Sequence, residues 1–360
     1  MHHYERSMNQ SELFPVDHGD VADRGELETI IASQSNESQE RWGGMPITES
    51  NGTFEEMKAL LPRFARRAFT TPAPNSTTAT AASSFYDAVV RLPTDKSAGE
   101  VSVGIVRKSY QLVQHVDLVN LVIQAFHEAK VETEKIKAIL KATPNAERIR
   151  LTLLLPETDK FQFQISNTDR MNLRLELFNS VDASTRFVAL LGWFRFVCGN
   201  GLVVGVTEAE VRRVHNSRME LDTIGTVLSR GLKDALREKK TFERWLELLV
   251  RGLTFTKWVD GPLKKLWGVK AATRVYHVAL DGRDVTLADP FERAEPSRKS
   301  VVHGCSVPGS GIPDGGELTA FAVSQALSWI AGRRPDILEQ MNWKDEIPGL
   351  MRRLLAAQAH

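Results

Sequence analysis

Between residues 148 and 206 the sequence is a nearly continuous series of β-prone segments separated by short turns, which limits the folds open to this chain. The segments RIRLTLLLPE (148–157) and FQFQI (161–165) are predicted to form a hairpin around Thr158–Lys160. LRLELFNSV (173–181) alternates apolar and polar residues, which is typical of a half-buried strand. RFVALLGWFRFVC (186–198) and LVVGV (202–206) continue the series. Because the connections are short, we expect mostly antiparallel pairing.

The segments on either side of this series add helices and a few more strands. VSVGIVR (101–107) and SYQLVQ (109–114) are predicted strands, and Leu118–Lys130 is a predicted helix with Asp117 as its N-cap. After Thr207 the apolar period becomes helical, over residues 208–252. We then expect a hairpin over 275–291 with Asp281-Gly282 in its turn, a glycine-rich loop over 303–316, and helices over 317–333 and 345–358.

The N-terminal part of the chain has a different composition. Residues 1–52 are polar and poor in aromatic residues, which predicts disorder. Residues 53–69 carry apolar side chains at helical spacing with Pro62 as a kink or boundary, and 70–84 resemble a small-residue linker. The predicted fold is therefore α+β, a mostly antiparallel sheet with a helical C-terminal half and a disordered N-terminal arm. We assign residues 1–84 to the arm, short helix and linker, and 85–360 to one domain, strand-rich to 206 and helix-rich from 207.

Charge is distributed unevenly along the chain. Residues 1–59 contain 12 Asp and Glu against 4 Lys and Arg, and the remainder contains 33 against 42, so a net charge of −8 is followed by one of +9. Such an acidic arm on a basic body has two interpretations. It is either a solvated tail on an ordinary surface, or an arm that competes with nucleic acid for a basic face.

Composition also indicates where the protein works. The sequence has no apolar run long enough to span a membrane and no apolar run of a signal peptide near its start. Its two cysteines, Cys198 and Cys305, are too few for a disulfide scaffold or a four-cysteine zinc site. We therefore expect a soluble, cytoplasmic protein that does not bind membranes.

Two polar motifs lie at the ends of the predicted strand 186–198. NSVDAS (179–184) precedes it, and GWFRFVCGNGLVVG (192–205) overlaps its end. Together with the upstream strand that leads into SYQLVQ, they resemble the DUF932 family of phage- and plasmid-encoded proteins. The matching residues are Asn179, Ser180, Asp182, Ser184, Phe194, Arg195, Val197, Cys198, Asn200, Gly201 and Leu202. Ala183 stands where the family has glycine. The resemblance, over residues 100–330, implies a mobile-element setting but no activity.

These motifs have a structural and a functional interpretation. Asn200-Gly201 is typical of a turn, and the Asn, Ser and Asp side chains of 179–184 can bond their own backbone. Alternatively, Asp182, Arg195 and Asn200 gather at one site. An arginine on the strand face shared by Trp193 and Val197 would need a partner or a bound anion.

The segment FTKWVDGPLKKLWGVKAATRVY (255–276) is the strongest candidate for nucleic-acid binding. Basic and aromatic residues alternate in it, as in surfaces that neutralise phosphates and stack on bases. Its candidate residues are Lys257, Trp258, Lys264, Lys265, Trp267, Lys270 and Arg274, and a second basic cluster contains Arg230, Lys233, Arg237, Lys239 and Lys240. The alternative is that the tryptophans belong to the core and the lysines to a solvated face.

The residues offer little for catalysis or for cofactors. Cys198 has no activating histidine nearby, and the spacing of His303 and Cys305 alone does not make a zinc site. The loop GSGIPDGG (309–316) lacks the lysine of a phosphate-binding loop, and no carboxylate cluster of nuclease type is present. We therefore name no catalytic residue, metal or cofactor, although an unfamiliar active site stays an open alternative.

The sequence thus favours a non-enzymatic, nucleic-acid-associated protein of mobile elements, acting in recombination, replication or counter-defence. Single-stranded nucleic acid is the expected partner. A protein-interaction module for a host or phage factor is the main alternative, and an enzyme with an unrecognised site is a third.

Overall fold

A computed structural model describes residues 40–73, 80–94, 99–166, 169–195, 201–202, 211–213, 221–287, 301–313 and 316–359. The strands are β1 (Arg41–Trp42), β2 (Met45–Pro46), β3 (Thr48–Thr53), β4 (Phe64–Pro72), β5 (Thr80–Arg91), β6 (Val101–Arg107), β7 (Lys137–Ala142), β8 (Arg148–Leu154), β9 (Gln162–Ser166), β10 (Asp169–Ser180), β11 (Phe187–Arg195), β12 (Gly201–Leu202), β13 (Val211–Arg213), β14 (Arg283–Leu287) and β15 (Val301–Ser306). The helices are α1 (Phe54–Ala59), α2 (His115–Glu128), α3 (Leu221–Glu247), α4 (Gly252–Trp258), α5 (Lys264–Asp281), α6 (Ala320–Gly332) and α7 (Ile337–Gln358).

An antiparallel sheet of eight strands forms the centre of the fold. Its order is β12–β11–β10–β8–β7–β3, with β13 also paired to β11 and β9 to β10. A second antiparallel sheet contains β4, β5 and β6, and two-stranded ladders join β1 to β2 and β14 to β15. The helices α3 to α7 all follow the large sheet in sequence. The predicted α+β class, with mostly antiparallel pairing and a helical C-terminal half, is therefore confirmed.

Both faces of the large sheet are covered. Odd-numbered residues of β10, such as Leu173 and Leu175, belong to the main core together with apolar residues of α2 and α3. The even-numbered residue Phe178 packs with Trp42 and Met341, so β1 and α7 cover the opposite face. Because both faces are buried, the alternation along β10 separates an apolar interface from a polar one, and the prediction of a half-buried strand was wrong.

The disorder predicted for residues 1–52 was wrong for those that the structure describes. Residues 48–53 form β3, which pairs with β7 from Thr48↔Ala142 to Thr53↔Lys137. Trp42 is completely buried although it lies in an acidic, polar stretch. One large aromatic residue and a ladder of backbone hydrogen bonds thus order a segment whose composition alone predicts disorder. Residues 1–39 lie outside the described part of the chain.

The helix predicted over residues 53–69 covers only α1. Thr53 and Glu56 form a reciprocal capping box at its start, and the chain leaves the helix before Pro62. Residues 64–72 form β4 and pair with β5, so the predicted linker 70–84 contains strand residues on both sides of the undescribed stretch 74–79. Ordered structure therefore begins well before the predicted start at residue 85.

Two predicted hairpins and one predicted strand were also wrong. Strand β9 pairs with β10 instead of β8, because β8 is already paired with both β7 and β10. Asp281-Gly282 ends helix α5, with Gly282 at φ +62°, and β14 then pairs with β15. Residues 111–114 lie outside the strands, and α2 begins at His115, so Asp117 is not its N-cap. Within the described residues, no helix is long and apolar enough to cross a membrane.

Candidate functional site

Asn179, the first residue of the NSVDAS motif, connects β10 to helix α2. Its Nδ2 donates to Nδ1 of His115 at 2.8 Å, and Nε2 of the same ring donates to the Ala146 carbonyl at 2.8 Å. Both side chains are buried. Through these two hydrogen bonds, the His115 ring connects the end of β10 to the turn between β7 and β8.

Asp182 fixes the turn that follows β10. Its Oδ1 accepts hydrogen bonds from the backbone N and the hydroxyl of Ser184, at 3.0 and 2.6 Å, and its Oδ2 pairs with Nε of Arg148 at 2.8 Å. Ala183 between them has φ +63°, the left-handed region in which glycine is the ordinary residue. The glycine of the family pattern at this position therefore has a direct conformational reason.

Ser180 connects the end of β10 to Tyr110, which lies just after β6. Its hydroxyl donates to the Thr185 carbonyl at 2.8 Å, and its own carbonyl accepts a hydrogen bond from the Tyr110 hydroxyl at 3.3 Å. Burial, and the negative charge of Asp182, raise the pKa of Tyr110 above its usual range. The motif thus acts as a structural joint, in agreement with the structural interpretation of NSVDAS.

The second motif lies mostly outside the described residues. The backbone of Arg195 is opposite Met171 at the end of β11, and Gly201 is opposite Phe194 in β12. The side chain of Arg195, and all of Cys198 and Asn200, lie outside what the structure describes. The predicted gathering of Asp182, Arg195 and Asn200 therefore stays a prediction.

The two tryptophans of the predicted stacking surface are core residues. Trp258 is 2% exposed, and its Nε1 donates to the Leu350 carbonyl at 3.2 Å. Trp267 is 6% exposed, stacks on Trp343 with ring centroids 4.6 Å apart, and donates to Oε2 of Glu346 at 2.7 Å. Neither ring presents a free face to a nucleic-acid base, so the stacking role predicted for Trp258 and Trp267 was wrong.

The basic residues of the same segment have different surroundings. Arg274 is paired through two hydrogen bonds with Asp284, at 2.7 and 2.6 Å, and is not available as a phosphate ligand. Lys257, Lys265 and Lys270 are exposed, and Lys264 is half-buried. Lys257 lies on α4 and the other three lysines on α5. A ligand that contacts them would lie along these helix surfaces, without the aromatic rings that were predicted to stack on it.

Helix α3 carries a regular row of cations. Arg230, Lys233, Arg237, Lys240 and Arg244, here called the α3 basic stripe, follow one another at spacings of 3, 4, 3 and 4 residues, and all are exposed. That spacing puts them on one face of the helix. Among the described residues, Asp234 pairs with Arg237 at 3.2 Å, and no carboxylate pairs with the other four. Lys239 points elsewhere and donates to the carbonyls of Asp159 and Gln162.

A second set of charges is buried between the sheet and α7, and sequence reasoning missed it. Lys344 Nζ lies 2.9 Å from each carboxylate oxygen of Glu176, and Arg174 Nη2 lies 2.9 Å from Oε1. Burial lowers the pKa of Lys344 to about 8, although Glu176 acts in the opposite direction. Burial by itself would raise the pKa of Glu176, but the neighbouring Arg174 and Lys344 outweigh it and hold that pKa well below its usual range.

The same interface continues to the edge of the sheet. Glu40 bonds Lys141 Nζ and accepts a hydrogen bond from Gln340 Nε2 at 2.8 Å, while Glu49 lies 2.9 Å from Lys141. Arg150 donates to Oε1 of Gln340 at 2.6 Å. These residues, with Arg174, Glu176 and Lys344, are called the buried charge cluster below. The apolar–polar alternation of β10 was the only signal for it, and it indicated a solvated face.

The described residues also provide little for catalysis. No group of three metal-binding side chains is found among them, and Cys305 is a free, exposed thiol in β15. An apolar cavity lies between α2, α3 and the sheet, and side chains such as Val122, Leu191 and Leu232 line it, with Gly231. A catalytic pocket needs convergent polar groups, and this cavity has none.

Comparison with known proteins identifies a family but no activity. Residues 102–298, which are 197 of the 360, match the sequence model of the domain of unknown function DUF932. No curated protein and no solved structure matches the chain significantly. The family match extends from β6 to beyond β14 and includes the NSVDAS turn, the large sheet from β7 onward and the α3 basic stripe. With more than half of its length matched, the chain belongs to the DUF932 family.

Proposed function

We propose that the protein binds nucleic acid without catalysing a reaction on it, and that the α3 basic stripe makes the main contacts, to phosphates. The observation that supports this proposal is a row of five exposed cations on one helix face, four of them with no carboxylate partner in the described residues. An ordinary solvated helix tends to alternate charges of both signs. A row of one sign is instead what a polyanion recognises.

The dimensions of the stripe suit a nucleic-acid backbone. Arg230 and Arg244 are 14 residues apart, or about 21 Å along the helix at 1.5 Å per residue. A row of cations of this length can contact several successive phosphates of one strand. Since Trp258 and Trp267 are core residues, we propose binding that depends on phosphates and tolerates any sequence.

The cellular setting belongs to the same proposal. A protein of phage or plasmid origin, working in the cytoplasm in recombination, replication or counter-defence, would need such a contact. The acidic residues that precede Glu40, eight against two basic ones, would compete with the nucleic acid for the stripe.

The salt dependence of binding tests the proposal. Fluorescence anisotropy with a labelled single-stranded oligonucleotide, and with the matching duplex, should show an affinity that falls steeply with salt. The double variant Lys233→Ala/Lys240→Ala should reduce the slope of log K against log salt by about 1.4 on the single strand and about 1.8 on the duplex.

A matched control removes the same charge from another helix. Arg352 and Arg353 are exposed on α7, so Arg352→Ala/Arg353→Ala lowers the net charge equally but should leave the slope unchanged. An unchanged slope in the stripe variant, or an equal loss in both variants, would contradict the proposal.

A protein-interaction module for a host or phage factor is the second candidate. Tyr86 is 42% exposed and Ile105 54% exposed, and the register of β5 and β6 puts them on one face of the three-stranded sheet. Contiguous exposed apolar surface is a feature of protein–protein contact sites. Absence of nucleic-acid binding at low salt, together with an unaltered fold, would favour this candidate.

A further inference from the structure

The Glu40 carboxylate occupies a polar recess formed by β7, β8 and α7. It bonds Lys141 Nζ and Gln340 Nε2, and its Oε2 lies 3.9 Å from Arg150 Nη2. Lys141, Arg150 and Gln340 are buried, whereas Glu40 is partly exposed. Buried hydrogen-bond donors therefore line the recess, and the Glu40 carboxylate lies at its more exposed end.

The charges of the cluster make this anion necessary. Four cations, Lys141, Arg150, Arg174 and Lys344, face only three carboxylates within the cluster, those of Glu40, Glu49 and Glu176, so the cluster has no anion to spare. Glu49 pairs with Lys141, and Glu176 pairs with Arg174 and Lys344. Among the described residues, Glu40 is the carboxylate that forms an ion pair with Arg150. Without it, a buried guanidinium would lack an ion-pair partner, which is costly.

Glu40 uses the donors of Arg150 incompletely. Arg150 is 7% exposed, and its buried Nε has no hydrogen-bond partner in the described structure. Its Nη2 is too far from Glu40 for a hydrogen bond. The Nε–Nη2 edge of arginine is shaped to donate two parallel hydrogen bonds to a phosphate or carboxylate. A tetrahedral oxyanion has oxygens for Lys141, Gln340 and this edge together.

From these contacts we propose that Lys141, Arg150 and Gln340 form a binding site for a phosphate group, and that Glu40 occupies it as an internal ligand. The inference goes beyond the nucleic-acid proposal, since these buried donors are separate from the exposed α3 basic stripe. Glu40 is held beside the site because Arg41 N donates to the Pro335 carbonyl at 2.9 Å and Gly43 N to Asp336 Oδ2 at 2.7 Å. A tethered carboxylate competes at high effective concentration, so an external phosphate binds the wild-type protein only weakly.

Removing the internal ligand tests the site. In the full-length chain, Glu40→Ala should unfold at a lower temperature than wild type in chloride and regain stability in inorganic phosphate at equal ionic strength. A dissociation constant of about 1 mM would raise its Tm by about 2 °C in 10 mM phosphate. The wild-type Tm should rise by less than about 1 °C under the same conditions. If Glu40→Ala does not fold, Glu40→Gln keeps the side-chain shape, and calorimetric titration with phosphate replaces the melting experiment.

Glu49→Ala is the matched control. It removes a carboxylate from the same lysine but leaves Glu40 on Arg150, so it should not gain a phosphate response. Glu40→Ala/Arg150→Met should lose the response gained by Glu40→Ala. An equal response in Glu40→Ala and Glu49→Ala, or none in Glu40→Ala and Glu40→Gln, would overturn the proposal. A response to acetate as large as that to phosphate would overturn the assignment to phosphate.

Discussion

Asp182 illustrates how a single side chain can position parts of the chain that are far apart in sequence. One of its oxygens holds Ser184 in the turn after β10, and the other holds Arg148, whose Nη1 donates in turn to the Trp42 carbonyl at 3.1 Å. Gly104 of β6 lies directly against it, since a Cβ on that residue would be 2.9 Å from Cβ of Asp182. One residue therefore contacts both sheets and, through Arg148, the segment that contains Trp42 and Glu40.

Ala183 has a backbone conformation that alanine rarely adopts. At φ +63° an alanine is strained by its Cβ, and a glycine is not. We expect Ala183→Gly to raise the free energy of unfolding by up to about 1 kcal/mol, measured by urea denaturation. Ala82→Gly, at an exposed position of β5, is the control and should lower it by about 0.5–1 kcal/mol. A loss of stability in Ala183→Gly would show that the left-handed conformation is not what this turn requires.

At the scale of elements, the sequence predicted where regular structure lies better than how it pairs. The strands β6, β8, β10 and β11 and the helices α2 and α6 were all predicted, because each has a clear apolar period. The apolar period does not indicate which strands pair with each other, so β9 was assigned to the wrong partner. Asp281-Gly282 was taken for a hairpin turn, since a hairpin turn and a helix C-cap both need positive φ.

Gly282 occupies a position with no room for a side chain. It ends α5 at φ +62°, and a Cβ there would lie 2.5 Å from the Ser310 carbonyl oxygen. Gly282→Ala should therefore lower the free energy of unfolding by more than about 2 kcal/mol, through conformational strain and this close contact. Gly332→Ala is the control, because no atom lies within 4 Å of its added Cβ at the end of α6, and it should be neutral or slightly stabilising. Equal thermal stability of the two variants would refute this account of the cap.

At the scale of the whole molecule, the buried charge cluster could not have been predicted from the sequence. Arg174 and Glu176 alternate with leucines in β10 as they would in a strand with one solvated face. Lys344, the partner of Glu176, is 168 residues away from it, and Glu40 and Lys141 are 101 residues apart. A chain can bury these charges only because α7 and the segment before β1 bring opposite charges to the same face. The α3 basic stripe, by contrast, is local in sequence, and all of its residues except Arg244 were in the second basic cluster predicted from the sequence.

The acid stability of the molecule should depend on this cluster. Burial would raise the pKa of Glu40, but the charges of Arg150 and Lys141 outweigh it and lower the pKa from 4.5 to about 2. A carboxyl whose pKa is lower in the folded than in the unfolded state stabilises the fold above pH 4.5, and this contribution is lost as the pH falls toward 2. The whole contribution is about 3 kcal/mol, of which about 2 kcal/mol should disappear between pH 5 and pH 3. Glu40→Gln cannot titrate, so its free energy of unfolding, measured in urea across this range, should fall by about 2 kcal/mol less than that of wild type. Parallel pH profiles for the two proteins would mean that the Glu40 carboxylate is not paired with Arg150 and Lys141 in solution.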